Sequence, residues 1–413
     1  MHISVIGGGV VGLSTAYWLC QHGCTVTLFE RNSAVGMGAS YANGGQLSYN
    51  YVAPLAQAEV WKDLPLWLLK KDSPLHFSPQ FDVLLWRWLI QFLKACNSTT
   101  ANRSALELLQ LSHLSRDILH DWVAATAMEC GLLQNGKLII HRNAAVFHKA
   151  RRQIDLLAGK GAPQYALNPK ELSQLEPALA PIEHQLVGAV YTPSEETADC
   201  YAFVQALFAQ LTHHPRFTYH LDTAVQDFKI SHGQVTAVCT PEAEFATDQV
   251  IITSGIQSVA LAKKLGITPA IYPLKGYSLS VPFSAEAPKI SVTDYAQRIV
   301  YAKVSDQLRM AAMVDIGGWD TSANPKRLRL LKQQVQKTFP FIDVATSQPW
   351  VGLRPATPTS KPIITRCPTL ENAWLNIGHG ALGFTLASGS AALVGTMVLD
   401  QPPPIDPSPF ALQ

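Results

Sequence analysis

The chain of 413 residues is 47% apolar and 15% charged, an ordinary globular balance with enough length for a large core and two domains. A net charge of +2, with 13 scattered histidines as the only further reserve of positive charge, gives no basic field and excludes nucleic acid as an expected partner. Seven cysteines (Cys20, Cys24, Cys96, Cys130, Cys200, Cys239, Cys367) form neither a C-x-x-C pair nor a zinc-spaced cluster; no metal is expected, and the thiols are expected free in a reducing compartment.

The chain order opens with a βαβ unit. "HISVI" reads as a strand, Val10 to Gln21 as a helix ended by Gly23, and "TVTLFE" as a second strand. No basic leader precedes it, and no uncharged apolar run of about 18 residues is expected, so the expected location is cytoplasmic. Between Val60 and Cys96, "VWKDLPLWLLKK" and "DVLLWRWLIQFLKAC" crowd Trp61, Trp67, Trp86 and Trp88 among leucines and a few basic residues. That composition suits an interfacial helix pair, peripheral on the cytoplasmic face of the inner membrane, as well as it suits a helical cap buried on the protein's own second domain.

Leu111, Leu114, Ile118 and Trp122 mark an amphipathic helix. Strand-like pieces follow: "GKLIIH", "VGAVYT", "AVQDFKI", "QVTAVCT", "QVIITSG" and the stretch from Tyr272 to Asp315. "PKRLRLLKQQVQKTF" reads as a helix, "AWLNIG" as a strand, Ala381 to Leu399 as a nearly all-buried helix, and the Pro-rich tail after Gln401 as a surface strap. Opening-type strands at both ends with a different sheet between them argue for a discontinuous nucleotide domain carrying an inserted second domain.

The chemistry starts at "VIGGGVVGLSTAYWL". Gly7 permits a tight turn, Gly9 admits a phosphate close to the backbone, and Gly12 lets helix and strand pack closely. Val10 and Val11 open the helix, whose free N–H groups face a pyrophosphate. Glu30, 18 residues past Gly12, accepts from ribose hydroxyls and disfavours a 2′-phosphate; Arg31 follows it. This motif alone leaves NAD and FAD open. Two stretches favour the longer cofactor. "SYANGGQLS" is a small, polar, glycine-paired loop able to wrap ribityl and diphosphate groups. "IGHGALGFTLASG" repeats the strand–glycine–helix grammar, and its amides at His379 and Gly380 suit the N1–C2=O edge of a flavin.

With these stretches, "YPLKGYSL", "GLRPATP", "SQLEPAL" and "SEETADC" in one order, the chain resembles the D-amino acid dehydrogenases, bacterial members of the glycine oxidase/D-amino acid oxidase flavoprotein family. The resemblance covers nearly the whole chain. It implies an α/β fold: a Rossmann-like FAD-binding domain (1–55, 196–265 and 345–413) with an inserted antiparallel-sheet, α+β substrate domain (56–195 and 266–344). It also implies extended FAD on Gly7, Gly9, Gly12 and Glu30, with Val225 in "TAV" and the turn at Ser254, Gly255 and Ser258 around adenine and phosphates. Ser40, Asn43, Gly44, Gly45 and Gln46 would line the flavin, and Gly380, Leu382, Gly383 and Thr385 its pyrimidine end. The sequence departs from the family at Thr357 to Ser360, where "TPTS" stands for "TPDG", and at Thr365 and Ala311–Ala312, where glycines are expected.

The activity implied is oxidative deamination of a D-amino acid by hydride transfer to flavin N5, giving a 2-oxo acid and ammonia, with electrons passed to quinone or another acceptor. Positioning is the main demand on the protein. Arg354 in "GLRP" is the candidate carboxylate clamp, a guanidinium meeting a carboxylate through two parallel hydrogen bonds. Tyr277 is a candidate phenol over the flavin or else a core tyrosine, and Tyr51 a candidate at the pocket mouth. Lys275 is expected on an exposed strand, and His379 is not expected to abstract a proton. D-proline or hydroxyproline dehydrogenase and glycine/sarcosine-type oxidase remain alternatives, so the substrate is a D-amino acid or a cyclic imino acid. A catalytically silent FAD-binding subunit is the alternative from another class.

Overall fold

The computed structural model describes residues 1–61, 73–157 and 162–412. Trp67, with the rest of the tryptophan-rich stretch over 62–72, lies outside the described residues.

The first sheet has the order Ile363–Arg366, Ala373–Ile377, Gln249–Ile252, His2–Ile6, Thr25–Phe29, Phe217–His220. All its pairings are parallel except Ile363–Arg366 on Ala373–Ile377. Its inner strands His2–Ile6, Gln249–Ile252 and Ala373–Ile377 are short and almost wholly buried, as expected where helices cover both faces. The opening helix, Val10–Gln21, packs against Gly383–Val398, where a Cβ on Gly395 would stand 2.2 Å from the Trp18 ring. On another side of that helix, a Cβ on Gly389 would meet the Leu111 carbonyl at 2.8 Å, on the helix Ser98–Thr126. Two small residues thus let one buried helix touch two neighbours. The helix Ser98–Thr126 adds Leu108, Leu111 and Leu119 to the core of this first sheet. It is therefore not part of the second sheet's packing, although it falls within 56–195.

The expected absence of a long uncharged apolar run is corrected here. Gly380–Val398 is long and apolar enough to cross a membrane, but most of it is buried inside the protein. The tail beyond it is pinned by Phe410, buried in the same core.

The second sheet has nine strands among the described residues, in the order Gln348–Ala356, Tyr272–Pro282, Gln307–Ile316, Ile299–Val304, Ser291–Asp294, Lys137–His141, Gly188–Thr192, Tyr165–Leu167, with Leu75–Phe77 beside Gln307–Ile316. It is mostly antiparallel; Ser291–Asp294 runs parallel to Lys137–His141, and Leu75–Phe77 to its neighbour. The strand Gln348–Ala356 pairs along its length with Tyr272–Pro282. The expected boundary at 345 is thus corrected: the chain leaves this sheet only after Ala356, because a nine-residue ladder holds it there. "AVQDFKI" likewise starts its strand only at Asp227, the preceding residues forming a loop.

One face of the second sheet packs Leu138, Ile140, Val292, Tyr301, Met310 and Leu279 into a core closed by Leu331 and Val335 of the helix Pro325–Thr338. The other face looks toward the first sheet. Over it lies the helix Val83–Ala95, with Leu85, Trp88 and Phe92 buried and the Trp88 indole donating to the Ala356 carbonyl at 2.8 Å. The capping reading of this segment therefore holds for one side of the helix. On its other side Phe81, Val83, Trp86 and Ile90 are exposed.

Candidate active site

A continuous cavity of about 1610 Å³ lies between the two sheets. That is larger than the roughly 300–1,000 Å³ of a pocket for one drug-sized ligand.

Its first end is the glycine turn. A Cβ on Gly12 would stand 1.8 Å from the Gly7 carbonyl, and one on Gly7, whose φ is +111°, would stand 2.6 Å from Ser254 Cα. Neither position accepts a side chain. Gly9 differs: the nearest atom to its Cβ would be Ser40 Oγ at 3.5 Å, so its missing side chain leaves open cavity. Glu30 is buried, and its Oε2 accepts from the Gly8 N–H at 2.6 Å. Its Oε1 accepts from the Asn32 N–H at 2.9 Å and from Asn32 Nδ2 at 2.6 Å. Three of about four acceptor sites on the carboxylate are used, which leaves one for a ribose hydroxyl. Gly8 and Asn32 were not singled out from the sequence, since a backbone donor and a loop amide carry no pattern of their own.

Val10, Val11, Arg31, Val225, Ser254 and Gly255 line the same end, while Gly12 stands behind it between helix and strand. Ser258 lies off the cavity, where its hydroxyl meets that of Ser254 at 3.1 Å.

The loop from Ser40 to Gln46 crosses the middle. Ser40 Oγ accepts from the Val10 N–H at 3.0 Å, and Asn43 Oδ1 accepts from the Gly45 N–H at 3.1 Å. The second sheet holds the loop from below: Ser278 Oγ donates to the Ala42 carbonyl at 2.8 Å, and Gln46 Nε2 to Ser291 Oγ at 2.5 Å. Gly44 and Gly45 line the cavity between these ties. At the far end Gly380, Leu382, Gly383 and Thr385 line it, where a 3₁₀ turn, Gly380–Leu382, opens the helix Gly383–Val398. His379 is buried and its Nε2 lies 3.1 Å from Ser390 Oγ. Burial drives its pKa down to about 3, so the ring is neutral at working pH.

Arg354 projects from Gln348–Ala356 across the neighbouring strand. A Cβ on Gly276 would stand 2.5 Å from its Cζ, so glycine there is the space in which the guanidinium lies. Its one hydrogen bond among the described residues runs from Nη1 to the Met313 carbonyl at 3.3 Å. No carboxylate pairs with it among the described residues, and burial lowers its pKa, although a guanidinium stays charged.

Tyr277 packs as its core alternative has it. It borders the cavity, but its ring is packed with Leu279 and Ala312 in the opposite core, and its hydroxyl donates to Asp315 Oδ2 at 2.8 Å. A register shift between Lys275 and Tyr277 sets which residues of this strand face which side. Lys275 reaches Asp320 at 3.1 Å, away from the cavity. Tyr51 does line the cavity, with the Lys137 ammonium 4.6 Å above its ring.

The family departures have local accounts. Ser360 stands where glycine is expected and adopts φ +65° all the same; its hydroxyl accepts from the Leu55 N–H at 2.9 Å. The Ala311 methyl faces Gly44, 3.3 Å from where a Cβ on that residue would be, and Ala312 fills the opposite core. Thr365 sits in the edge strand opposite Leu375.

The family model described as FAD dependent oxidoreductase matches residues 2–397. The chain belongs to this family. D-amino acid dehydrogenase 2 of Ralstonia nicotianae is 42% identical over 100% of both chains. The protein of the same name from Pseudomonas aeruginosa is 42% identical over 98% of this chain and 96% of its own. Among solved structures, glycine oxidase from Geobacillus kaustophilus matches with a TM-score of 0.78 at 21% identity, covering 100% of this chain and 98% of that one. L-proline dehydrogenase from P. horikoshii matches with a TM-score of 0.77 at 16% identity, covering 100% and 96%. Those identities speak for the fold: a Rossmann-like FAD-binding domain with an α+β substrate domain.

FAD is the cofactor of this oxidoreductase family, and the residues fit it. The open Cβ space at Gly9, the helix start at Val10, the spare acceptor on Glu30 and a cavity that continues to a second helix start make a cradle for an extended dinucleotide.

Proposed function

We propose that this FAD-dependent oxidoreductase is a D-amino acid dehydrogenase, converting D-amino acids to 2-oxo acids and ammonia and passing the electrons to a separate acceptor. The observation that carries the reading is Arg354: a half-buried guanidinium without a carboxylate partner among the described residues, facing the cavity that holds the glycine cradle. The first sheet carries the cofactor and the second presents the substrate. FAD, when bound, supplies the two-electron acceptor for the substrate Cα–H bond.

The chain's own residues do the rest. Arg354 takes the substrate carboxylate in a fork of parallel hydrogen bonds, which fixes both position and rotation of the reacting carbon. Gly276 leaves the room in which that ion pair forms, and Gly352 the room for the Trp350 ring beside it. The loop from Ser40 to Gln46, tied down at Ser278 and Ser291, holds its side of the chamber rigid. His379 stays neutral and pinned to Ser390, so it serves as a wall and not as a base.

For the acceptor, the reading is a membrane quinone. The exposed set Phe81, Val83, Trp86 and Ile90, flanked by the exposed basic residues Arg87 and Lys94, suits peripheral contact with an anionic bilayer. Co-sedimentation with anionic vesicles, weakened at least fivefold by Trp86→Ser with Ile90→Ser, supports this contact; equal recovery of both proteins removes it.

The deciding experiment is anaerobic titration of the holoenzyme with D-alanine, D-proline and larger D-amino acids. Bleaching of the visible flavin band is expected with D- and not L-enantiomers. A colourless protein, or a flavin that no D-amino acid bleaches, overturns the proposal. Turnover that consumes oxygen stoichiometrically, in place of reducing a quinone analogue, overturns the dehydrogenase part.

A further inference from the structure

Alternation along the strands of the second sheet puts Lys137 and His141 on one face, and the register continues that face through Ser291 and Thr293 to Val300, Ala311 and Arg354. Lys137, His141 and the hairpin residues Tyr295 and Arg298 all border the cavity, together with Tyr51. They form an arm of the chamber that the cofactor cradle does not use.

Two cations sit in this arm on tyrosine rings. Lys137 Nζ lies 4.6 Å from the centre of the Tyr51 ring, and Arg298 Cζ lies 4.5 Å from that of Tyr295. Neither cation has an ion-pair partner among the described residues. Of the carboxylates nearby, Asp294 pairs with Arg142 at 2.9 Å. Glu195 accepts from the Asn50 N–H and Nδ2 on Oε1, both at 2.9 Å, and its unpartnered Oε2 leaves a negative charge that acts on Lys137 and not on Arg298. His141 is 3% exposed, and neither ring nitrogen has a hydrogen-bond partner. A buried unpartnered N–H carries a desolvation cost that a ligand acceptor would relieve. Among the described residues Arg298 and His141 thus meet this arm with no side-chain acceptor from the protein, and Lys137 with one hydroxyl, Ser48 Oγ at 2.9 Å.

The spacing from the carboxylate clamp fits. The Arg354 guanidinium lies over the strand Tyr272–Pro282, and Arg298 closes the hairpin into Ile299–Val304, two strands across the sheet. At about 4.8 Å per strand that is roughly 10 Å, beyond the reach of alanine and within that of a glutamate-sized zwitterion between two guanidinium groups.

We propose that this arm is the substrate side-chain subsite and that Arg298, helped by Lys137 and His141, selects D-amino acids bearing a second carboxylate. The inference rests on the reading of the site as one that oxidises D-amino acids, and it names the substrate class.

The test uses the holoenzyme. The ratio of kcat/KM for D-glutamate to that for its neutral isostere D-glutamine should be at least 10. Arg298→Gln should reduce that ratio at least tenfold, and Arg298→Glu should turn the preference toward D-lysine. Independently of turnover, glutarate should bind at least tenfold tighter than glutaramate in a calorimetric titration, with the difference lost in Arg298→Gln. Near-equal use of D-glutamate and D-glutamine, a preference for D-lysine in the native protein, or a ratio unchanged in Arg298→Gln overturns the inference. Failure of every D-amino acid to bleach the flavin would instead strike the proposed function, and the glutarate titration would still judge the anion subsite.

Discussion

Removing the Arg354 guanidinium separates a functional cation from a structural one, because the two roles predict opposite effects on stability. In Arg354→Met the cavity keeps a side chain of similar length without the charge. Among the described residues the native guanidinium makes one hydrogen bond, to the Met313 carbonyl at 3.3 Å, and no ion pair. Folding therefore half-buries a cation with most of its five N–H donors unmatched by protein. Its removal should leave the thermal midpoint unchanged or raised. For the substrate the sign reverses. Truncating one partner of a desolvated, hydrogen-bonded charge pair costs about 2–5 kcal/mol, or about 30- to 3,000-fold at about 1.4 kcal/mol per tenfold. Anaerobic stopped-flow reduction over a range of D-alanine concentrations reads the loss in kcat/KM, with flavin content per protein as the control. Arg354→Lys, which keeps the charge without the fork, should recover only part of it. A variant that melts several degrees lower while reducing its flavin at the native rate would refute the clamp and make Arg354 a packing residue.

Gly12→Ala should abolish flavin retention and lower the yield of folded protein, since its Cβ would stand 1.8 Å from the Gly7 carbonyl. Gly9→Ala, with 3.5 Å of clearance, should fold normally and still lose flavin; visible absorbance per protein alongside a melting curve distinguishes the two. At Ser360 the φ of +65° costs about 1–2 kcal/mol and the bond from Leu55 returns about 1 kcal/mol, so Ser360→Gly should be nearly neutral. Ser360→Ala keeps the strain and loses the bond, and should be destabilised by about 1 kcal/mol in urea unfolding. Burial lowers the pKa of His141 to about 4 and of His379 to about 3, against 6.5 for the free side chain. The unfolded chain then binds protons that the folded one refuses, so stability is complete above about pH 6.5 and falls with acidity toward pH 4. The slope is about 1.4 kcal/mol per pH unit for each histidine, and urea unfolding with excess FAD should show it halved in His141→Gln.

The cofactor half of the site was legible because it is written in backbone requirements. Gly7, Gly9 and Gly12 are where a Cβ is forbidden or would enter the cradle, and Glu30 ends its strand where spacing places it. The residues expected to hold FAD line the cavity except Gly12, which closes the turn behind it, and Ser258, whose hydroxyl lies off it against Ser254. The substrate half was read less well. Tyr277, open between a chamber phenol and a core tyrosine, packs in the core at the chamber's edge; Lys137, His141 and Arg298 were not singled out and border the chamber. The helix Ser98–Thr126 packs with the first sheet, and the strand Gln348–Ala356 belongs to the second, because both placements are decided by contacts far along the chain. A lysine and a histidine four apart in the apolar strand "GKLIIH" were the available signal for the arm, since alternation puts both on one face.

The same alternation explains why the chamber is walled as it is. Along Tyr272–Pro282, Gly276 and Ser278 are small and line the cavity, whereas Tyr277 and Leu279 are large and enter the core. On the partner strand, Trp350, Gly352 and Arg354 share the cavity side, and Val351 joins the opposite core. The small residues leave the volume into which Arg354 folds and against which the loop at Ala42 is tied. The register shift at Lys275–Tyr277 is what brings these positions into line. A strand one residue out of step would put the Tyr277 ring in the chamber and turn Gly276 toward the core, leaving the guanidinium no room over its neighbour. The clamp therefore depends on glycine and serine positions that touch no substrate. Enlarging Gly276 should damage carboxylate binding as severely as removing Arg354 itself, because the added Cβ would stand 2.5 Å from the guanidinium carbon.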